Sequence, residues 1–457
     1  MSRILIFPSG NTFSHLYECE NIGRELKQFG HDIHYGISKQ YASWAAEHKI
    51  NYSIISELWE RGPTDHPNVS WFIDHDYVLR CVEEEIRLIN SFEPDIVFAD
   101  FKYTTSISAR AAGARLVTKN ILSMLPASGA NFGYLVDDDC QESRLQRKRL
   151  DFFDRFACFA LNSAAEKQCV RKFARLSHFL EGEVVIIPDS PWFQKIGPLP
   201  ENYQLAQLLY REANLPCGPV VKAWRKCCDI KEQRLESKAY GKSAADTLIR
   251  QVLRSKKIFL ALGSVCRSED ALYHLTAALA DGPWQLYVSL SGKNNSLKNK
   301  ITTFFPQVYV ADFWNFNELA AKGINLYVCQ GGLGSIYNAV EHGVNLFVVP
   351  FQPEQVHNGM LVEQHGIGGR FGKSHAFNGQ EDLYIQTILN TPKEEFARLA
   401  SELLIGDGLK NKMKSASGIF QKEMHCRPRP AELIDDLLAH QAGKRCHVSA
   451  FCAEQCR

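Results

Sequence analysis

The chain has 457 residues, more than one ordinary core holds, with 45% hydrophobic and 23% charged residues, the balance of a soluble globular protein. A formal net charge of +1 gives no global pull toward nucleic acid or an anionic membrane. The 14 cysteines form no Cys-x-x-Cys pair, and a chain this large needs no disulfide staples, so reduced cytoplasmic thiols are expected.

Short β-branched runs alternate with amphipathic helical runs, the pattern of a doubly wound parallel sheet. The N-terminus "MSRILIFPSG" is too short an apolar run for a signal peptide, and no run reaches transmembrane length. The first half offers strands at 4–7, 32–37, 95–100, 115–118, 158–163 and 184–187. The helix after the first strand shows an inner face at Leu16, Cys19, Ile22, Leu26 and Phe29, and Gly30 is its stop. Residues 137–150 read as a solvated, charged helix.

Residues 198–250, entered through "GPLPENY", are polar and helix-prone, a linker or helical insertion. The strand pattern then restarts at 257–264, 285–292, 308–312, 324–329 and 345–350. These blocks predict an N-terminal Rossmann-like domain over 1–197 and a second over 251–428. A C-terminal helix over 429–441 packs back toward the first, and 442–457 form a flexible tail. Cys446, His447, Cys452 and Cys456 in that tail fit no standard zinc spacing.

Ligands of open parallel sheets bind beyond the carboxyl ends of the strands. Two loops fall there: Gly263-Ser264, and "CQGGLGSIYNAVEHGVNLFVVPFQPEQVHN" from 329 to 358. Glycines 331, 332 and 334 let backbone amides approach an anion, and the helix that follows adds its positive dipole end. A diphosphate suits this arrangement, although a tight strand-to-helix turn would ask for the same glycines.

The longer stretch resembles the donor-site signature of family 1 glycosyltransferases, which have a GT-B fold of two facing Rossmann-like domains with a cleft between them. Gln330, Gly332, Ser335, Asn338, Gly343-Val344, Glu354-Gln355 and Asn358 fall in register with that signature, as does Pro350. The resemblance implies that Gly332, Gly334 and Ser335 hold the diphosphate, with Gly263 and Ser264 on its other side. Glu354 and Gln355 would read hydroxyls of the transferred sugar. Trp314, in "FWNFN", would stack on the base. Two positions depart from the pattern. Gln330 stands where the family has a diphosphate-binding histidine, and Asn338 where it has a ribose-binding glutamate, with Glu341 one turn later.

"FPSGNTFSHLYECENIGRELKQFGH" matches the family's N-terminal pattern at His15, Leu26 and Gly30-His31. The match implies that His15 is a general base at a helix N-terminus. Asp100, closing "PDIVFAD", would hold its other ring nitrogen. The implied activity is inverting, metal-independent transfer of a sugar from a UDP- or dTDP-sugar to a hydroxyl of a small-molecule acceptor, a natural product for instance. No cofactor beyond the nucleotide sugar, no metal and no nucleic-acid partner is expected. Three alternatives stay open: a transferase acting on a lipid-linked acceptor, a nucleotide-sugar epimerase, and a non-catalytic sugar-nucleotide-binding protein.

Overall fold

The computed structural model describes residues 1–60, 70–128, 141–207, 252–263, 266, 268–292, 295–372 and 381–441. The chain divides into two compact units, Met1–Leu209 with Lys422–Arg457, and Tyr210–Gln421.

The first unit is built on a seven-stranded parallel sheet: β1 (Arg3–Pro8), β2 (Asp32–Ile37), β3 (Tyr52–Ile54), β4 (Ile96–Asp100), β5 (Leu116–Lys119), β6 (Val184–Ile187) and β7 (Tyr203–Leu205). The order is β3-β2-β1-β4-β5-β6-β7, so the chain reverses direction across the sheet between β1 and β4. Its helices are α1 (Phe13–Gln28), α2 (Ala42–Glu47), α3 (His75–Phe92), α4 (Thr105–Ala111), α5 (Gln141–Phe156) and α6 (Phe159–Lys167). Leu16, Cys19, Ile22 and Leu26 form the fully buried stripe of α1, against Ile4 and Ile6 of β1. Gly23 lies on the same helix because a Cβ there would meet the Tyr35 hydroxyl at 1.8 Å. Phe29, expected on that stripe, is exposed: it caps the helix C-terminally, where the helical face has run out.

Residues 158–163, expected as a strand, form the N-cap and first turns of α6. Ala160, Leu161, Ala164 and Ala165 are buried, a helical spacing, while Phe159 is exposed. The short apolar run alone could not separate the two periods.

The second unit carries a six-stranded parallel sheet: β8 (Lys257–Ala261), β9 (Gln285–Ser289), β10 (Tyr309–Ala311), β11 (Leu326–Cys329), β12 (Asn345–Val348) and β13 (Gly368–Arg370). Its order, β10-β9-β8-β11-β12-β13, reverses between β8 and β11. The helices are α7 (Glu269–Ala280), α8 (Asn295–Phe304), α9 (Phe316–Ala321), α10 (Leu333–Glu341), α11 (Pro353–Gln364), α12 (Glu381–Asn390), α13 (Lys393–Ile405) and α14 (Asp407–His425). One apolar core joins the central strands to α7, α8 and α13 through Leu260, Leu275, Ile301, Val328, Phe347 and Phe396.

The chain end rejoins the first unit as α15 (Pro430–Gln441). Ala431, Ile434 and Leu438 enter the core that also holds Leu16 and Ile22. His31 Nε2 lies 2.9 Å from Asp435, and Arg427 donates to the Asp189 carbonyl at 2.7 Å. Strand β7 lies in the stretch expected as linker, and it pairs with β6. The rest of that stretch, from 208, and the tail from 442 fall outside the described residues. No helix among the described residues is long and apolar enough to cross a membrane.

A buried polar cluster lies in the first unit. Lys102 Nζ is 2.5 Å from Glu57 and 3.4 Å from Glu85, and Thr104 and Ser108 donate to Glu85. Glu57 also fills the space where Gly10 lacks a side chain, with its Cγ 2.6 Å from the position a Cβ would take. Burial pushes the Glu57 carboxyl up to about 7 despite the facing Lys102 ammonium. A carboxyl raised on folding holds its proton where the unfolded chain has released it, so its contribution to stability falls as pH rises from about 4.5 to 7. Glu57→Gln removes that titration. In urea unfolding, the stability of this variant relative to the parent is expected to rise by about 1–3 kcal/mol across that window. A pH-independent difference would refute the assignment.

Candidate functional site

In the second unit, the candidate donor residues gather at the carboxyl edge, around the topological switch. The register pairs Cys329 with Ala261 on one side and with Val348 on the other. The loops leaving β8, β11 and β12 therefore emerge side by side. Gly331 has φ +93°, and a Cβ there would meet Val348 Cγ1 at 2.6 Å and the Gln355 carbonyl at 3.1 Å. Gly332 is the N-cap of α10, and no side chain caps that terminus. The first backbone N–H groups of the helix, at Leu333, Gly334 and Ser335, thus have no partner within the helix. Together with the helix dipole they form a concave donor set for an anion.

Gly263, φ +63°, brings the β8 loop against Gln330, whose Nε2 is 2.7 Å from the position of a Cβ. Ser264 lies outside the described residues. Gln330 Oε1 and Asn338 Oδ1 are both buried without a hydrogen-bond partner among the described residues. Trp314 is half-buried, its indole N–H donating to the Val288 carbonyl at 3.0 Å and its ring edge-on to Tyr287. On α11, Asn358 Nδ2 donates to the Gly331 carbonyl and to Glu354 Oε1, each at 2.9 Å. Gln355 is buried, and its Oε1 accepts from the Phe351 N–H at 2.8 Å. One lone pair of its oxygen is thus committed to the backbone, leaving its Nε2 and the other lone pair for a sugar hydroxyl. Glu341 ties α10 to α14 through its carbonyl, which accepts from Ser417 and Gln421.

The first unit repeats the topology with charged chemistry. Asp100 ends β4, in register with Pro8 of β1 on one side and Lys119 of β5 on the other. His15, in the first turn of α1, follows β1 across the loop 9–12. These placements bring His15 Nδ1 to 3.0 Å from Asp100 Oδ2, with the imidazole 24% exposed and the carboxylate 2%. Phe101 stacks on the imidazole at 5.6 Å and 8°. The structure thus brings His15 and Asp100 into direct contact.

Two residues were missed. Lys119 Nζ lies 3.4 Å from both oxygens of Asp100 and also donates to Glu18 Oε2. Burial alone would raise the Asp100 carboxyl; Lys119 and then His15 outweigh it and hold the group below its ordinary value. Burial would likewise lower the Lys119 ammonium, but Asp100 and Glu18 raise it. The signals were a lysine ending an apolar strand and a glutamate one helical turn after the histidine.

Comparison with known proteins fits this architecture. No family model matches the chain. It is 26% identical over 221 residues to mouse (Mus musculus) UDP-glucuronosyltransferase 3A2, covering 46% of this chain and 37% of that protein. The corresponding figure for UDP-glucuronosyltransferase 3A1 of the same organism is 27% over 221 residues, with the same shares covered. The chain thus spans well under half the length of these curated relatives. Among solved structures, the glycosyltransferase of kitacinnamycin superposes with a TM-score of 0.63 at 14% identity, over 96% of this chain and 98% of that one. Spinosyn forosaminyltransferase SpnP gives 0.61 at 16%, over 96% and 99%. Glycosyltransferase VinC, solved with dTDP, gives 0.59 at 15%, over 95% and 98%. The fold is that of the GT-B glycosyltransferases.

The Gly331 geometry can be tested directly. Gly331→Ala is expected to cost about 2 kcal/mol or more in urea unfolding, since it combines left-handed strain with a clash. Gly343→Ala, also at positive φ but with nothing within 4 Å of the new Cβ, should cost only about 1 kcal/mol. Equal costs would show that the close approach at 331 is not as described.

Proposed function

We propose that the chain is an inverting, metal-independent glycosyltransferase that moves a sugar from a UDP- or dTDP-sugar to a hydroxyl of a small-molecule acceptor. The observation that carries this reading is the His15–Asp100 pair at the sheet switch point, 3.0 Å apart with the carboxylate buried. An ionised Asp100 accepts from the Nδ1–H, which fixes the tautomer and leaves the Nε2 lone pair as the base. The acceptor O–H gives its proton to Nε2. Its oxygen bonds to the anomeric carbon on the face opposite the diphosphate. The bond from that carbon to the phosphate oxygen breaks, and its electron pair leaves with the nucleoside diphosphate. Charge then accumulates on an anion suited to the amides of Leu333, Gly334 and Ser335 at the N-terminus of α10.

Trp314 would stack on a pyrimidine, and Asn338 would serve the nucleoside. Glu354 and the Gln355 amide would read the sugar. A uridine or thymidine nucleotide is supported by the mouse UDP-glucuronosyltransferases and by VinC with dTDP. A small-molecule acceptor is supported by the rhamnosyltransferase SpnG, solved with spinosyn aglycone. A cytoplasmic location accords with the thiol-rich composition.

A panel of nucleotide sugars tests this reading by thermal unfolding and by product formation with and without acceptors. A true donor at a hundred times its dissociation constant should add about 2.7 kcal/mol of stability. His15→Ala should lower transfer by about 100-fold or more while donor protection persists. Trp314→Ala should lose the protection. Undiminished transfer by His15→Ala would remove the proposed base. Binding without turnover across all acceptors would instead make this a sugar-nucleotide-binding protein.

A further inference from the structure

We propose that Glu18 and Lys119 are positioning residues for His15: together they set the charge that the Asp100 carboxylate presents to the imidazole, and thereby the pH at which His15 can take a proton. The inference rests on His15 acting as the base, and it adds two residues and a regulated quantity to that reading.

Five titratable groups from three elements meet here. His15, Glu18 and Cys19 come from α1, Asp100 from β4 and Lys119 from β5. Glu18, Asp100 and Lys119 are all buried, and Cys19 Sγ lies 3.9 Å from Asp100 Oδ2. Burial holds the Cys19 thiol well above its ordinary value, so it stays neutral. With His15 neutral, the two carboxylates and the one ammonium among the described residues here sum to a single net negative charge. The ammonium lies 3.4 Å from each Asp100 oxygen and is itself tied to Glu18. A bare buried carboxylate, ionised against His15 alone, would bind the imidazolium so strongly that Nε2 would be blocked. Lys119 opposes this by its own positive charge, 3.4 Å from both Asp100 oxygens. Glu18 moderates Lys119 in turn.

The arrangement makes a signed prediction. Removing the Lys119 charge strengthens the field favouring imidazolium, whereas removing the Glu18 charge weakens it. Removing both restores the original net charge. Lys119→Met should therefore move the titration of His15 up by about one pH unit, and Glu18→Gln should move it down by a similar amount. The double variant should return close to the parent, and Lys119→Arg should stay near it. Histidine-labelled full-length protein, titrated by NMR with His15 identified by its loss in His15→Gln, reads this directly. The acid limb of sugar transfer should follow the same pattern.

Midpoints that stay fixed, or that move in one direction in both single variants, would overturn the proposal and mark the cluster as purely structural. Should Lys119→Met fail to fold, Glu18→Gln decides alone, because it removes a charge at nearly constant shape. The signed NMR pattern without any sugar transfer would leave the electrostatic inference standing and reject the enzymatic reading. Transfer with an unshifted acid limb in every variant would do the reverse.

Discussion

The Asp100 carboxylate is the constraint on which the first unit's candidate site depends. It sits at the end of a central parallel strand, almost fully withdrawn from water. An ion in that position costs several kcal/mol unless it is paired and hydrogen-bonded. The compensation comes from strand register: β5 supplies Lys119 as the direct neighbour, and the loop after β1 delivers His15 through the first turn of α1. The same pairing that makes a charge tolerable in the sheet also orients a histidine. Stability and chemistry therefore cannot be separated at this position, and a substitution that neutralised Asp100 would release both neighbours at once.

The second unit has the same kind of switch point with a different electrical character. Gln330, Ser335, Asn338, Gln355 and Asn358 are neutral, and Glu354 is acidic. Burial pushes the Cys329 thiol up to about 12, so the strand end beneath the site carries no thiolate. Burial also drives His357 down to about 4, which keeps that imidazole neutral near pH 7. An anion held here would be met by aligned peptide dipoles, equivalent to about half a positive charge at a helix N-terminus. Gln330 is a neutral amide, so that position supplies no proton-dependent cation. The pH response of the proposed chemistry is thereby concentrated in the His15 cluster.

Much of this was legible in the sequence wherever a local pattern carried it. Strands of four or more residues were found, as was the three-residue β10, and so were the glycines that a tight strand-to-helix turn demands. The three-residue strands β3, β7 and β13 were not, and Gly368-Gly369-Arg370 could not have been, since it has no β-branched or aromatic residue. His15 and Asp100 could be paired because a motif linked them across 85 residues. Lys119 and Glu18 meet across 101 residues with no motif to announce it, and only the strand register places them together. The engagement of the Gln355 oxygen was invisible for the same reason: it depends on where the Phe351 backbone turns.

Two buried clusters in the first unit share a formula, one ammonium between two carboxylates, and their differences explain their separate behaviour. Around Lys102, the hydroxyls of Thr104 and Ser108 serve Glu85, while Glu57 is driven up to about 7 by burial. Around Lys119, the third partner is an imidazole rather than a pair of hydroxyls, and Asp100 stays ionised. Glu57 packs against Gly10, within the loop that carries the chain from β1 to His15. The Glu57 side chain occupies space that any side chain at position 10 would need, so that loop is pressed onto the first cluster while its far end feeds the second. The position of His15 is therefore held from both sides: by the hydrogen bond between its ring nitrogen and Asp100, and by close packing at the glycine five residues before it.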